Sequence, residues 1–223
     1  MRWTLYTAVR RCRAVALALG QDYVVVTVDE ALYQRLLPLK WAHADLQEWL
    51  IVRLGGLHIA LNFLGVIGRH VEGSGLLQVW CDSNLFGPKT AEKVLRTGRP
   101  YNKAVRAHKL TWQALWSILL PMMFDFMQKR KEGLHAALEA AVNDGHHDEL
   151  VALLDTPTFR ELRHDFNATA GPNRRYWTDY LEMAELLLRF LRAQRTGDWR
   201  LHLDSFRDML PWFFIYDHQN YAR

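Results

Sequence analysis

The chain has 223 residues, enough for one domain or two small ones that bury roughly 70% of their unfolded surface. Half of the residues are apolar and 23% are charged, which excludes disordered, collagen-like and low-complexity classes. A net charge of +4, with an isoelectric point near 9.1, is compatible with an anionic partner but too small to require one. Cys12 and Cys81 belong to no Cys-x-x-Cys pair, so neither a disulfide framework nor a zinc ribbon is indicated and a reducing, intracellular compartment is expected. No stretch approaches the roughly 20 apolar residues of a membrane span, so no membrane partner is expected.

Residues 1–20 carry Arg2, Arg10, Arg11 and Arg13 and no acid, a composition shared with organellar presequences. Leu5, Val9, Cys12, Ala16 and Leu19 nevertheless recur at helical spacing, so the segment reads as a structural helix ending near Gly20. Tyr23 to Val28 is dominated by β-branched residues and apolar on both parities, the pattern of a strand covered on both faces. Leu32 and Leu36, with Tyr33 and Leu37 beside them, predict a helix over 31–37 that Pro38 ends. A second β-like run, Trp49 to Leu54, breaks at Gly55-Gly56, and the intervening length suits a parallel βαβ unit. Two parallel strands do not make a self-sufficient sheet, so further strands are expected from another chain or from flanking sequence.

After Gly56 the pattern is helical, over 58–70, 76–80, 90–96, 101–131, 133–142, 149–154, 157–168, 176–195 and 199–210. Pro121 is expected to kink or divide the longest helix, Gly171-Pro172-Asn173 is the best internal break, and Pro211 is expected to close the last helix. The fold class is therefore mainly α with a small parallel β element near the N-terminus. It is organised as a partial α/β element over 1–56 and a helical region over 57–223.

Asp29 follows directly on a buried strand, where open α/β sheets place ligands and where carboxylates hold the metal ions of phosphoryl transfer. The same residue suits the N-cap of the next helix, and the two roles are compatible. His58 lies just past Gly55-Gly56, with Asn62 on the same helix face, and reads either as a site residue or as a structural histidine bonded to backbone. Lys89, Lys93, Arg96, Arg99, Lys103, Arg106 and Lys109 face one acid, Glu92, a local balance of +6. Such a stripe reads as a nucleic-acid-binding surface with Tyr101 and Trp112 as stacking rings, or as a solvated helix face. His146-His147 reads as a solvated loop, and no zinc-binding spacing, Gly-x-Ser-x-Gly elbow or dinucleotide fingerprint occurs.

Taken together, Thr27-Val28-Asp29-Glu30-Ala31-Leu32-Tyr33, Leu54-Gly55-Gly56-Leu57-His58, Val66-Ile67-Gly68, Glu72-Gly73-Ser74-Gly75-Leu76 and Arg106-Ala107-His108-Lys109-Leu110 resemble an uncharacterised, repeat-associated and transposable-element-derived protein family of animal genomes. Met209-Leu210-Pro211-Trp212-Phe213 and Tyr216-Asp217-His218-Gln219-Asn220-Tyr221-Ala222-Arg223 extend the resemblance across nearly the whole chain. Transposase descent would imply a ribonuclease-H-like α/β core with a large helical insertion, Asp29 as a catalytic strand-end acid and metal ligand, and His58 at the family's Gly-Gly-Phe-His position, here with Leu57 for Phe. Relatives resemble longer proteins, so an acidic site holding Mg2+ would be completed by sequence outside this chain. The resulting expectation is a remnant or fragment that binds nucleic acid without catalysis of its own, nuclear if it does so. The alternative is a helical protein-interaction module.

Overall fold

Gly20, at φ +71, stops α1 (Arg2–Ala18), whose buried residues Val9 and Ala16 lie two turns apart on one stripe. The computed structural model describes residues 2–218 and continues through β1 (Val24–Val28), α2 (Glu30–Ala42), α3 (Ala44–Trp49) and β2 (Leu50–Leu54). The strands pair in parallel, in a register running from Val24 opposite Leu50 to Val28 opposite Leu54. The protein is thus mainly α-helical with a two-stranded parallel sheet near its N-terminus, as its hydrophobic pattern predicts.

The sheet is covered on one face only, not on both. Val24, Val26, Val28, Leu50 and Val52 pack with Val9, Ala16, Leu36, Leu39, Leu46 and Trp49 in a small N-terminal core. On the other face Val25 remains 54% and Ile51 43% exposed. The connecting helices all take the same side, so β-branched residues of both parities are retained while only alternate ones are buried.

Beyond the sheet run α4 (Gly56–His70), α5 (Leu76–Asp82), α6 (Pro88–Thr97) and α7 (Tyr101–Arg130). They are followed by α8 (Glu132–Asn143), α9 (His147–Leu154), α10 (Pro157–Ala168), α11 (Pro172–Thr196) and α12 (Trp199–Ile215). Pro38 and Pro211 do not terminate their helices: α2 runs on to Ala42 and α12 to Ile215. Pro121 likewise sits inside an undivided α7. Each proline and the residue four before it (Gln34, Ser117, Arg207) are exposed, so the carbonyl that loses its helical donor can bond to water.

The main core is built around α4, whose buried residues spread over more than one face and meet α6, α7, α11 and α12. Its crossing with α6 is set by Gly68, where a methyl group would lie 1.8 Å from the Leu95 carbonyl oxygen. A third core, formed by Met123, Met127, Leu138, Phe159, Leu162 and Phe166, joins the far half of α7 to α8, α9 and α10. The Gly171-Pro172-Asn173 break is a turn into α11, which packs fully into the main core.

Candidate nucleic-acid interface and strand-end residues

The parallel register brings Asp29 and His58 to the same end of the sheet. Gly55 donates its N–H to the Val28 carbonyl at 2.7 Å, so the residues following both strands are neighbours. Asp29 accepts from the Leu32 N–H at 2.9 Å and caps α2, the structural role its position predicts. The His58 ring packs beside Gly55, its Cδ2 3.6 Å from where a Cβ would stand, and Asn62 donates to the His58 carbonyl at 2.8 Å. Gly56 leaves room for the end of the Gln194 side chain: a Cβ there would lie 2.5 Å from Gln194 Oε1. Gln194 Nε2 is in turn 2.5 Å from Nδ1 of His202, which stacks against Trp199, and the Arg53 guanidinium lies 4.5 Å over the same indole. Burial, and then the Arg53 charge, hold the His202 imidazole below the usual histidine range.

Among the described residues no three His, Cys, Asp or Glu side chains gather where they could hold a metal ion. Asp29 and His58 therefore do not by themselves make up a Mg2+ centre within the described residues, and no chemical step is assigned through one.

The basic stretch forms a coherent outer surface. Lys89, Lys93 and Arg96 recur at spacings of four and three on α6, whose opposite side buries Ala91, Val94 and Leu95. Arg99 lies in the connection, and Lys103, Arg106 and Lys109 recur every three residues on α7, whose inner side buries Ala104, Ala107 and His108. All seven bases are exposed. Among the described residues only Arg96 of the seven is ion-paired, with Glu92 at 3.6 Å. The turn between the helices is fixed by Gly98, at φ +63, where a Cβ would lie 2.8 Å from that of Leu64.

The two rings expected to stack on bases are turned inward. Tyr101 and Trp112 both pack against the main core. Burial raises the pKa of the Tyr101 hydroxyl against the opposing influence of Arg195, and the Trp112 indole nitrogen is buried. The sequence reading also passed over a buried polar group beneath the basic surface. His108 is 1% exposed, with Nδ1 2.9 Å from the Tyr180 hydroxyl oxygen and its ring edge-on to Trp80. Trp80 donates to the Thr111 hydroxyl at 2.9 Å, and Thr111 donates to the Ala107 carbonyl. The signal was present: Ala104, His108, Thr111 and Leu115 follow a heptad-like spacing that places His108 on the inner face.

A cleft of about 620 Å3 lies beside this surface, lined by Gly68, Arg69, Glu72, Leu95 and Arg96 among others. Its cations are already engaged, Arg69 donating to the Tyr216 carbonyl at 2.5 Å and Arg96 facing Glu92. His146 and His147 are both exposed, as expected, but His147 opens α9 instead of lying in the loop. At the C-terminal end, the Tyr216 hydroxyl oxygen is 2.6 Å from His70 Nδ1, and Tyr176 donates to the His70 carbonyl. Gln219, Asn220, Tyr221, Ala222 and Arg223 lie outside the described residues.

Among the described residues no helix is long and apolar enough to cross a membrane. No curated protein and no solved structure matches the chain. Residues 2–223 match the family described as a domain of unknown function, DUF8702, and the chain belongs to that family.

Proposed function

We propose that the chain binds nucleic acid through the outer face of α6 and the first turns of α7, as a remnant or fragment of a transposable-element-derived protein of ribonuclease-H-like ancestry. The observation that carries the reading is the set of seven exposed cations with a single carboxylate among them. Their charge of +6 stands in a chain whose total is +4, so the remainder is net acidic by two. Cations at this spacing suit successive phosphates, and each contact gains free energy by releasing condensed counterions. The role in this reading is binding rather than catalysis: Asp29 caps α2, and a metal-dependent site would need carboxylates from outside the chain. A nuclear location follows from the same reading.

The test is equilibrium binding to duplex DNA over a salt series, with Lys103, Arg106 and Lys109 replaced by Gln. Each lost phosphate contact flattens the slope of log K against log salt by about 0.9, with little change in sequence preference. Wild-type affinity and slope in the triple variant, with its helicity intact by circular dichroism, would move the function to another surface.

A second reading, a helical protein-interaction module, is favoured by the open face of the sheet, where Tyr23, Val25 and Ile51 are exposed. It is distinguished by the absence of any salt-dependent binding to DNA.

A further inference from the structure

We infer that the basic surface takes double-stranded rather than single-stranded nucleic acid. The inference rests on the nucleic-acid reading above and concerns the class of ligand. Proteins that hold single strands without sequence preference interleave cations with aromatic platforms, because every base offers a ring face that stacking can use. The surface of α6 and α7 has the cations and lacks the platforms. From residue 87 to residue 113 no aromatic side chain is exposed.

The rings in and beside this segment are held inward by named contacts. Tyr101 and Trp112 pack into the main core, and Phe86 lies edge-on to Trp80 with ring centres 5.7 Å apart. His108 is tied to Tyr180, and Thr111, between His108 and Trp112, is tied to Trp80. To present its ring face to a base, His108 would have to leave Tyr180, and the half-buried Tyr101 and Trp112 would have to give up their packing against the main core. The exposed side chains that do lie between the cations are Glu92, Thr97, Pro100 and Asn102, which offer no stacking area comparable to a ring.

The frame beneath the cations is rigid as well. Gly68 and Gly98 fix α6 and the turn against α4 with almost no space to spare. Cations three or four residues apart on a helix advance by about 4.5–6 Å per step along its axis. Such a fixed row matches an ordered array of phosphates at little ordering cost to either partner. A single strand would have to surrender its backbone freedom to the row and receive no stacking in return.

The experiment compares a fluorescein-labelled duplex of about twenty base pairs with each of its separated strands and with oligo-dT, by anisotropy at matched salt. The full chain and the Lys103→Gln, Arg106→Gln, Lys109→Gln variant are measured in parallel. The expected result is that the duplex binds about tenfold more tightly than any single strand, and that the triple variant flattens the duplex salt slope by about 2.7. Single strands that bind as tightly as the duplex, while the triple variant still weakens both, would overturn the inference and leave the basic surface as the binding site. Salt-independent or absent binding of all probes would overturn the inference and the nucleic-acid reading together.

Discussion

His108 Nδ1 stands 2.9 Å from the Tyr180 hydroxyl oxygen, and this buried pair fastens the basic helix α7 to α11. Both groups are held in their neutral forms. Burial pushes the His108 imidazole down to about 4, and it raises the Tyr180 hydroxyl well above its usual range against the opposing bond from Thr111. The second ring nitrogen of His108, Nε2, is buried with no hydrogen-bond partner among the described residues, so a protonated ring would carry an unsatisfied N–H. The outward row of cations and the neutral inner anchor are thus two faces of one helix.

A stability change with pH follows from the anchor. Unfolded, His108 takes a proton near pH 6.5, while in the fold it does so only near 4. Above 6.5 both states are neutral and the group contributes nothing to the pH dependence. Between the two values the unfolded chain gains a proton that the native chain refuses, so stability falls as pH falls and levels off below about 4, a loss of roughly 3 kcal/mol. Urea midpoints of the wild type and of His108→Phe, measured from neutral to acid pH, isolate this contribution from other titrating groups. The gap between them narrows as pH drops, and a constant gap would show that His108 is not the group responsible.

The crossing of α4 and α6 makes opposite predictions for two glycines of one helix. Gly68→Ala drives a methyl group against the Leu95 carbonyl, where neither backbone can yield easily, and costs on the order of 2–3 kcal/mol. Gly65→Ala meets nothing within 4 Å and removes helix-interior glycine entropy, gaining about 0.5–1 kcal/mol. Thermal unfolding of the two variants separates packing from propensity. Equal shifts would mean that the close approach at Gly68 is not a constraint.

Glu92 is the one carboxylate on the basic surface, and it faces Arg96 at 3.6 Å with 59% of its side chain exposed. Glu92→Gln frees Arg96 for a phosphate and removes a repulsive charge. Duplex DNA is therefore bound about two- to threefold more tightly at low salt, and the gain fades as salt rises. The melting temperature stays near that of the wild type, since an exposed helix pair contributes little to folding. Unchanged affinity across the salt series would place Arg96 outside the contact.

Local sequence determined the parts of this protein that depend on near neighbours. Two β-branched runs with a helical connection between them specify a parallel pair, and Gly20 and Gly98 end their helices because the left-handed turn there favours glycine. Spacings of three and four residues likewise placed all seven cations outward and left Asp29 at an N-cap. Tertiary structure decided what stands opposite each face. It left one side of the sheet open, let α2 and α12 run through Pro38 and Pro211 where the freed carbonyls meet water, and turned Tyr101 and Trp112 inward. It also assigned Gly56 to Gln194 and His108 to Tyr180, partners distant in the chain. Periodicity encodes which way a side chain points along its own helix or strand. The group it meets there is set by long-range packing, which no local pattern contains.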